Sequence, residues 1–361
     1  MTMRQIAALA LAGAVCASTV GAGIVGAPTP ASAQVPADHK ILAGNFYAGP
    51  RDEFFYYTPG AGPDELYTIT KVGGQPQFNL VGSFTVSGTY TPLVGDFDGD
   101  GFDEILWYAP GFAQDYMWNF VNYSTVQSRT YPVNGNYGRP VVGDFTGDGA
   151  DDIHWYNPGF GADYLWEYNP GGGYTSRRAD VNGNYLPVGG SIGNDRTDDV
   201  IWYAPGTAAD YLWDYTPSSL SFRSVRQTVN GTAYQPFSLD AFADGRGSED
   251  IYWYAPGPSA DFWWDYLGGT RTDIPLSGDL AIDGYYLTAA GDYFGGGADD
   301  IVFEGTSDLL LREHVWLSSG DFQIIDWIFM PTAVSSAGEG GALSGLAPER
   351  VESSMSVAPT R

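Results

Sequence analysis

The chain has 361 residues, 43% hydrophobic and 15% aromatic, with 49 glycines, which is ample material for a large core. Its 16 Lys and Arg stand against 43 Asp and Glu, for a formal net charge of −27. Such a surface repels phosphate backbones and excludes nucleic acid as a partner. One cysteine, Cys16, allows no intrachain disulfide, so packing, strand pairing and any bound metal must hold the fold.

In chain order, residues 1–33 read as an export signal. Arg4 precedes an apolar run, Ile6–Val15, and Ala31-Ser32-Ala33 supplies the small residues of a cleavage site, so the mature chain would start near Gln34. The run is short and rich in Ala and Gly, which disfavours a membrane span. Gly13-Ala14-Val15 lacks the Leu expected three residues before a lipidated cysteine. The expectation is a secreted, extracellular protein without a cysteine.

Within residues 34–331 one acidic phrase recurs. It reads GDFDGDGFDEILWYAPG at 95–111 and GDFTGDGADDIHWYNPG at 143–159, with looser copies starting at Gly44, Gly189, Asp240 and Gly291. The apolar residue after each acidic pair is Phe54, Ile105, Ile153, Val200, Ile251 or Ile301, a period of roughly fifty residues. A fixed period of that size marks a supersecondary unit used repeatedly. Residues 332–361 turn to Ser, Gly, Ala and Pro and are expected to be a disordered tail.

Each unit predicts four short strands. In the third unit these are Pro140–Phe145, Ile153–Tyr156, Asp163–Tyr168 and Tyr174–Val181, separated by Asn157-Pro158-Gly159 and closed by Asn182-Gly183-Asn184. Period-two alternation puts Ile105 with Trp107, Ile153 with Trp155, Val200 with Trp202 and Ile251 with Trp253 on shared faces. The opposite faces are apolar too, as in sheets sandwiched between sheets. Most third-strand aromatics, such as Tyr164 and Trp166, are therefore expected to pack between blades. The fold class is all-β: a β-propeller of four-stranded antiparallel blades. Six copies favour six blades, and seven remain open if the two ends assemble an unmarked one. Closure is expected to need a strand contributed by the other terminus.

The loop after the first strand of the second unit places carboxylates at positions one, three, five and nine: Asp96, Asp98, Asp100 and Glu104. Gly99 and Gly101 permit a tight curl, and the Phe102 carbonyl adds a donor at position seven. Hard oxygen ligands in this number predict calcium. The next loop offers Asp144, Thr146, Asp148 and Asp152, with a hydroxyl at position three. The other four loops have lost the ligand positions and read as metal-free turns. These phrases resemble the FG-GAP repeats of integrin α-chain propellers and the VCBS-type repeats of secreted bacterial proteins. The resemblance implies a D-x-[DN]-x-D-G-x-x-D loop that joins the first two strands of a blade and binds calcium. Integrin-type propellers are described as seven-bladed, and here only six copies are visible.

The opposite rim gathers Asp115, Asp163, Asp210 and Asp261 from the second-to-third strand loops, and Tyr137, Tyr185 and Tyr234 from the blade-to-blade linkers. Carboxylates pair with hydroxyls and tyrosines stack on sugar rings, which makes these the candidate ligand-binding residues. A competing reading makes Asn-Gly-Asn a plain turn with Tyr packed beneath it. His39, His154 and His314 share no context, and no nucleophile elbow, HExxH, P-loop or dinucleotide fingerprint occurs. The chain reads as a monomeric, secreted, calcium-binding propeller acting as a lectin-like binding module. Its partners would be glycans or an extracellular protein. A polysaccharide lyase or hydrolase and a protein-adhesion scaffold are the alternatives.

Overall fold

The structure is a computed structural model, and it describes residues 39–329 except 48, 61, 74, 194, 218–220, 230, 232–233, 242–247, 268–269, 276–281, 283–284, 306–310 and 317–324. The expected export signal, the tail over 332–361 and the His314 side chain lie outside the described residues. All described residues belong to the unit Val35–Arg361.

Among the described residues every element is a strand. The first sheet holds β1 (Lys40–Gly44), β2 (Glu53–Tyr57), β3 (Asp64–Val72) and β4 (Gln75–Phe84). The second holds β5 (Thr91–Gly95), β6 (Glu104–Tyr108), β7 (Tyr116–Asn122) and β8 (Thr125–Thr130). The third holds β9 (Val141–Gly143), β10 (Asp152–Trp155), β11 (Tyr164–Tyr168) and β12 (Tyr174–Arg178). The fourth holds β13 (Leu186–Gly190), β14 (Asp199–Tyr203), β15 (Asp210–Tyr215) and β16 (Phe222–Gln227). The fifth holds β17 (Gln235–Leu239), β18 (Asp250–Tyr254), β19 (Phe262–Leu267) and β20 (Thr270–Pro275). The sixth holds β21 (Tyr286–Gly291), β22 (Asp300–Gly305), β23 (Leu311–Trp316) and β24 (Ile325–Phe329). Within each sheet the strands pair antiparallel in chain order.

These are propeller blades, because their faces are covered by one another. The second strands β6, β14 and β18 are buried at every residue. Six core clusters each draw on two sheets in succession. One joins Phe55 and Leu66 to Ile105 and Trp107, and another joins Leu106 and Met117 to Ile153 and Trp155. The cluster of Ile41, Phe54 and Tyr67 with Tyr293 and Val302 joins the first sheet to the sixth. Trp107, Trp155, Trp202 and Trp253 are nearly fully buried. Each indole removes apolar surface worth about 4–6 kcal/mol, so packing between sheets dominates stability.

The first strands pack side by side: β1 against β5, β5 against β9, β9 against β13, β13 against β17, β17 against β21, and β21 against β1. A carboxylate stitches each step. Asp151 N–H donates to the Asp96 carbonyl (2.8 Å), and Asp96 N–H returns to Asp151 Oδ2 (2.9 Å). The same two-way bond joins Asp103 to Asn45, Asp198 to Asp144, Glu249 to Ser191, Asp299 to Asp240 and Asp52 to Asp292. The last of these joins the first sheet to the sixth. The expected strand exchange does not occur, since β1–β4 and β21–β24 each complete their own sheet. The seam is closed by side chains and loop backbone instead, including the buried His39 Nε2–Glu304 Oε2 pair at 2.9 Å. His154 is a packing residue, with Nε2 2.9 Å from the Ala179 carbonyl and a pKa pushed down by burial to about 4.

Candidate functional site

Two rims carry the candidate chemistry. On the first, the loop from Asp96 to Glu104 curls around the leading aspartate. Asp96 Oδ1 accepts the N–H groups of Gly99 (2.8 Å) and Asp100 (3.0 Å), and Oδ2 accepts that of Gly101 (2.8 Å). Gly99 and Gly101 sit at φ 72° and 91°, where a side chain would strain the backbone. The curl brings ligand oxygens of Asp96, Asp98 and Glu104 within 4.8 Å of one another. Among the described residues it is the metal-type cluster. Asp98 Oδ1 is buried without a hydrogen-bond partner. Asn119 Nδ2–H donates to Glu104 Oε1 at 2.6 Å. Burial, then the neighbouring Asp98, pushes the Glu104 carboxyl up to about 8. A partly buried, mutually repelling, incompletely bonded oxygen set fits a hard divalent cation. Asp100 stays outside this cluster and accepts the Phe102 N–H (3.0 Å). The Phe102 side chain is exposed.

The Asp144 loop repeats the curl, with N–H bonds from Gly147, Asp148 and Gly149. Thr146 Oγ1–H turns onto Asp144 Oδ1 (3.3 Å). Asp148 Oδ1 accepts the Ala150 N–H (3.1 Å), and Asp152 is buried, accepting N–H groups from Tyr168 (2.8 Å) and Thr146 (3.1 Å). The four residues do not gather as the first loop's carboxylates do.

On the second rim the structure corrects the expectation for the aspartates. Asp115, Asp163, Asp210 and Asp261 are buried. Asp163 Oδ1 accepts the Asn157 N–H and Oδ2 the Val181 N–H, both at 2.8 Å. Asp115 does the same for Ala109 and Val133, Asp210 for Ala204 and Val229, and Asp261 for Ala255 and Ile282. Each is a clip holding a loop to a linker, with no oxygen left to face a ligand. Burial raises the Asp115 and Asp163 carboxyls.

The linker tyrosines Tyr137, Tyr185 and Tyr234 are half-buried. Tyr137 lies flat over Gly135, where a Cβ would meet its ring at 2.2 Å. Its backbone N–H donates to the Tyr108 hydroxyl (2.7 Å), which donates onward to the Gly135 carbonyl (3.2 Å). Asn-Gly-Asn-Tyr is thus a turn whose glycine lets the tyrosine ring pack against the backbone.

Tyr137 forms one wall of a cleft of about 440 Å³ between the second and third sheets. The other walls are Asn134 and Asn136 of the linker, Asn157 and Ala162 of the β10–β11 loop, and Tyr164, Trp166, Tyr174 and Ser176 of β11 and β12. Trp166 and Tyr174 stack at 4.0 Å and 12°. No lining residue carries a carboxyl, imidazole or ammonium group. Tyr164 and Trp166 pack between blades as expected, Trp166 inside the core shared by the second and third sheets, and they also border this cleft, which sequence reasoning missed. The signal was there, since a Tyr-x-Trp strand facing a Ser is repeated at Trp118↔Ser128, Trp166↔Ser176 and Trp213↔Ser224.

The FG-GAP repeat family model matches residues 88–123, which span β5, the Asp96 loop, β6 and β7. No curated protein sequence matches the chain. Among solved structures, a lectin of Agrocybe aegerita described as recognising non-reducing terminal N-acetylglucosamine superposes at TM-score 0.50. It is 15% identical, over 76% of each chain. The six-bladed Aleuria aurantia lectin superposes at 0.47 with 12% identity, over 78% of this chain and 92% of that one. An exotype rhamnogalacturonan lyase gives 0.33 with 11% identity, over 77% and 72%. Identities this low bear on fold alone. With blades of four antiparallel strands and one matched FG-GAP repeat in the second, the chain is a repeat β-propeller protein.

Proposed function

We propose that this protein is an extracellular, monomeric, six-bladed carbohydrate-binding propeller, and that the cleft between its second and third sheets holds a neutral saccharide. The observation that carries the reading is the lining of that cleft. The partly exposed rings of Tyr137, Tyr164 and Tyr174, with Trp166 packed behind Tyr174, suit the apolar face of a pyranose, and the amides of Asn134, Asn136 and Asn157 suit its hydroxyls. A net charge of −27 disfavours acidic polysaccharides. No carboxyl lines the cleft, which favours binding over hydrolysis there, because most glycoside hydrolases need two opposed carboxyls. Six complete sheets, with the sixth stitched to the first, support the blade count.

Calcium belongs to the same proposal. Asp96, Asp98 and Glu104 would hold the ion, with Asp100 and the Phe102 carbonyl in reach along the loop. The ion would neutralise the loop and stiffen the rim opposite the cleft.

The test is an array of neutral oligosaccharides probed with the wild-type chain and with Tyr164→Ala. Wild-type binding that falls about tenfold or more in Tyr164→Ala supports the cleft. Reducing ends released from the array sugars would instead make the protein an enzyme, and silence across the array would end the glycan reading.

A further inference from the structure

We infer that the cation loop of the second blade sets the affinity of the saccharide cleft, because that loop holds the hairpin of the third blade that presents Tyr174. The inference rests on the glycan and calcium readings above and adds the link between them. The cleft reaches back from the linker rim along β11 and β12 to Tyr174, the first residue of β12. Residues 169–173 join those two strands beside the Asp96 loop. Three contacts tie loop to hairpin. Gly171 N–H donates to the Asp98 carbonyl at 2.6 Å. A Cβ added at Gly99 would meet Pro170 at 3.1 Å, so the loop backbone already lies against the proline. Phe97, between two of the candidate ligands, is buried and packs on Tyr168 at 5.1 Å. Tyr168 in turn packs on Tyr174 at 5.4 Å, and Tyr174 stacks on Trp166 at 4.0 Å in the wall of the cleft.

The hairpin tip is exposed, and Gly171, Gly172 and Gly173 follow one another at φ 88°, 100° and 89°. Three successive glycines give a tip wide conformational freedom, so an outside anchor changes what it samples. Without a cation, the carboxylates of Asp96, Asp98 and Glu104 repel one another and loosen the loop. With one, the Asp98 side chain is fixed, and its carbonyl becomes a fixed acceptor for Gly171. A hairpin ordered in advance spares the saccharide the cost of ordering Tyr174. The next loop supplies the contrast. Phe145 packs on Tyr215 at 5.1 Å in the same way, so the ring contact is a general joint between blades. The gathered carboxylates and the Gly171 bond make the joint beside the cleft responsive to a cation.

The experiment takes the full chain in calcium chloride and in chelator. It reads the affinity for the neutral oligosaccharide that the array binds best, and hydrogen exchange of the backbone amides over 169–174 with no sugar present. Calcium is expected to slow exchange in that hairpin while leaving the 182–185 linker unchanged, and to tighten the sugar about tenfold. By linkage the sugar must tighten calcium by the same factor. Asp98→Asn is expected to show the chelator values in both solutions. Gly171→Pro has no N–H to donate and cannot take a positive φ. It is expected to keep most of the calcium-induced rise in melting midpoint while its sugar affinity no longer follows calcium. Wild-type sugar affinity equal in calcium and chelator, or hairpin exchange indifferent to calcium, would overturn the inference and leave the cleft reading standing. A folded Gly171→Pro chain whose affinity still follows calcium would overturn the hairpin as the route. A wild type that binds no printed sugar would instead defeat the glycan reading on which the inference rests.

Discussion

Asp163 shows what one side chain does here. It directly precedes the third strand of its blade, and its two oxygens reach backbone N–H groups of two chain segments, at Asn157 and Val181. Asp64 in the first blade does the same for Thr58 and Val86. Replacing Asp163 with Ala leaves two interior donors unsatisfied, a loss of about 2–4 kcal/mol. Urea unfolding is expected to show a lower midpoint with an unchanged slope, and a midpoint equal to wild type would mean that the clip carries no weight. The sequence shows the aspartates at their repeated places but cannot show that they are inside. An acid beside a turn looks solvated until the linker that supplies the second donor folds back over it. The third-strand aromatics do pack between blades, with Trp166 in the core, but alternation along a strand says only which residues share a side and not that Tyr164 and Trp166 also border a cleft.

At the scale of the element, the acidic loops separate shape from metal binding. The Asp292 loop keeps the curl, with Gly296 and Gly297 N–H groups on the leading carboxylate, although positions three and five are Phe294 and Gly296. The leading Asp and the glycines thus make the turn, and the later carboxylates decide whether a cation is held. Calcium is expected to raise the melting midpoint of the wild type relative to chelator, through about 2.7 kcal/mol of added stability at a hundredfold excess over Kd. Asp98→Asn is expected to lose most of that rise and Asp148→Asn to keep it. Calorimetric scans in calcium and in chelator check this, and equal midpoints in the two wild-type scans would remove the metal from the account. The loop's spacing was legible in the sequence because its ligands are near neighbours along the chain. Asn119, which bonds Glu104 from the neighbouring strand β7, was not.

For the whole molecule, the carboxylates that stitch sheet to sheet set the response to pH. Burial is the main cause that lifts Asp52 to about 6 and Asp299 to about 7, and it raises Asp198 and Glu249 as well. A carboxyl whose folded pKa lies above its unfolded value binds its proton more tightly in the folded state. Its contribution to stability is therefore complete below the unfolded value near 4 and fades as pH rises through the folded value near 6–7. The surplus of negative charge acts in the same direction. In chelator at low salt, the melting midpoint is expected to be higher at pH 5 than at pH 7.5. A midpoint that rises with pH over that interval would show that these groups are ionised and satisfied in the folded chain.

The sequence by itself determined the all-β class, four strands to a unit, the acidic loop on one rim and the mutual burial of the blade faces. Each of these is written in residues close along the chain, by period-two alternation, turn residues and ligand spacing. Only the tertiary structure decided that the rim aspartates are internal clips, that the ends meet without exchanging a strand, and that Tyr137, Tyr164 and Trp166 open onto one cleft. Those outcomes depend on which distant segment covers a given face, and a local pattern of polar and apolar residues does not specify its cover.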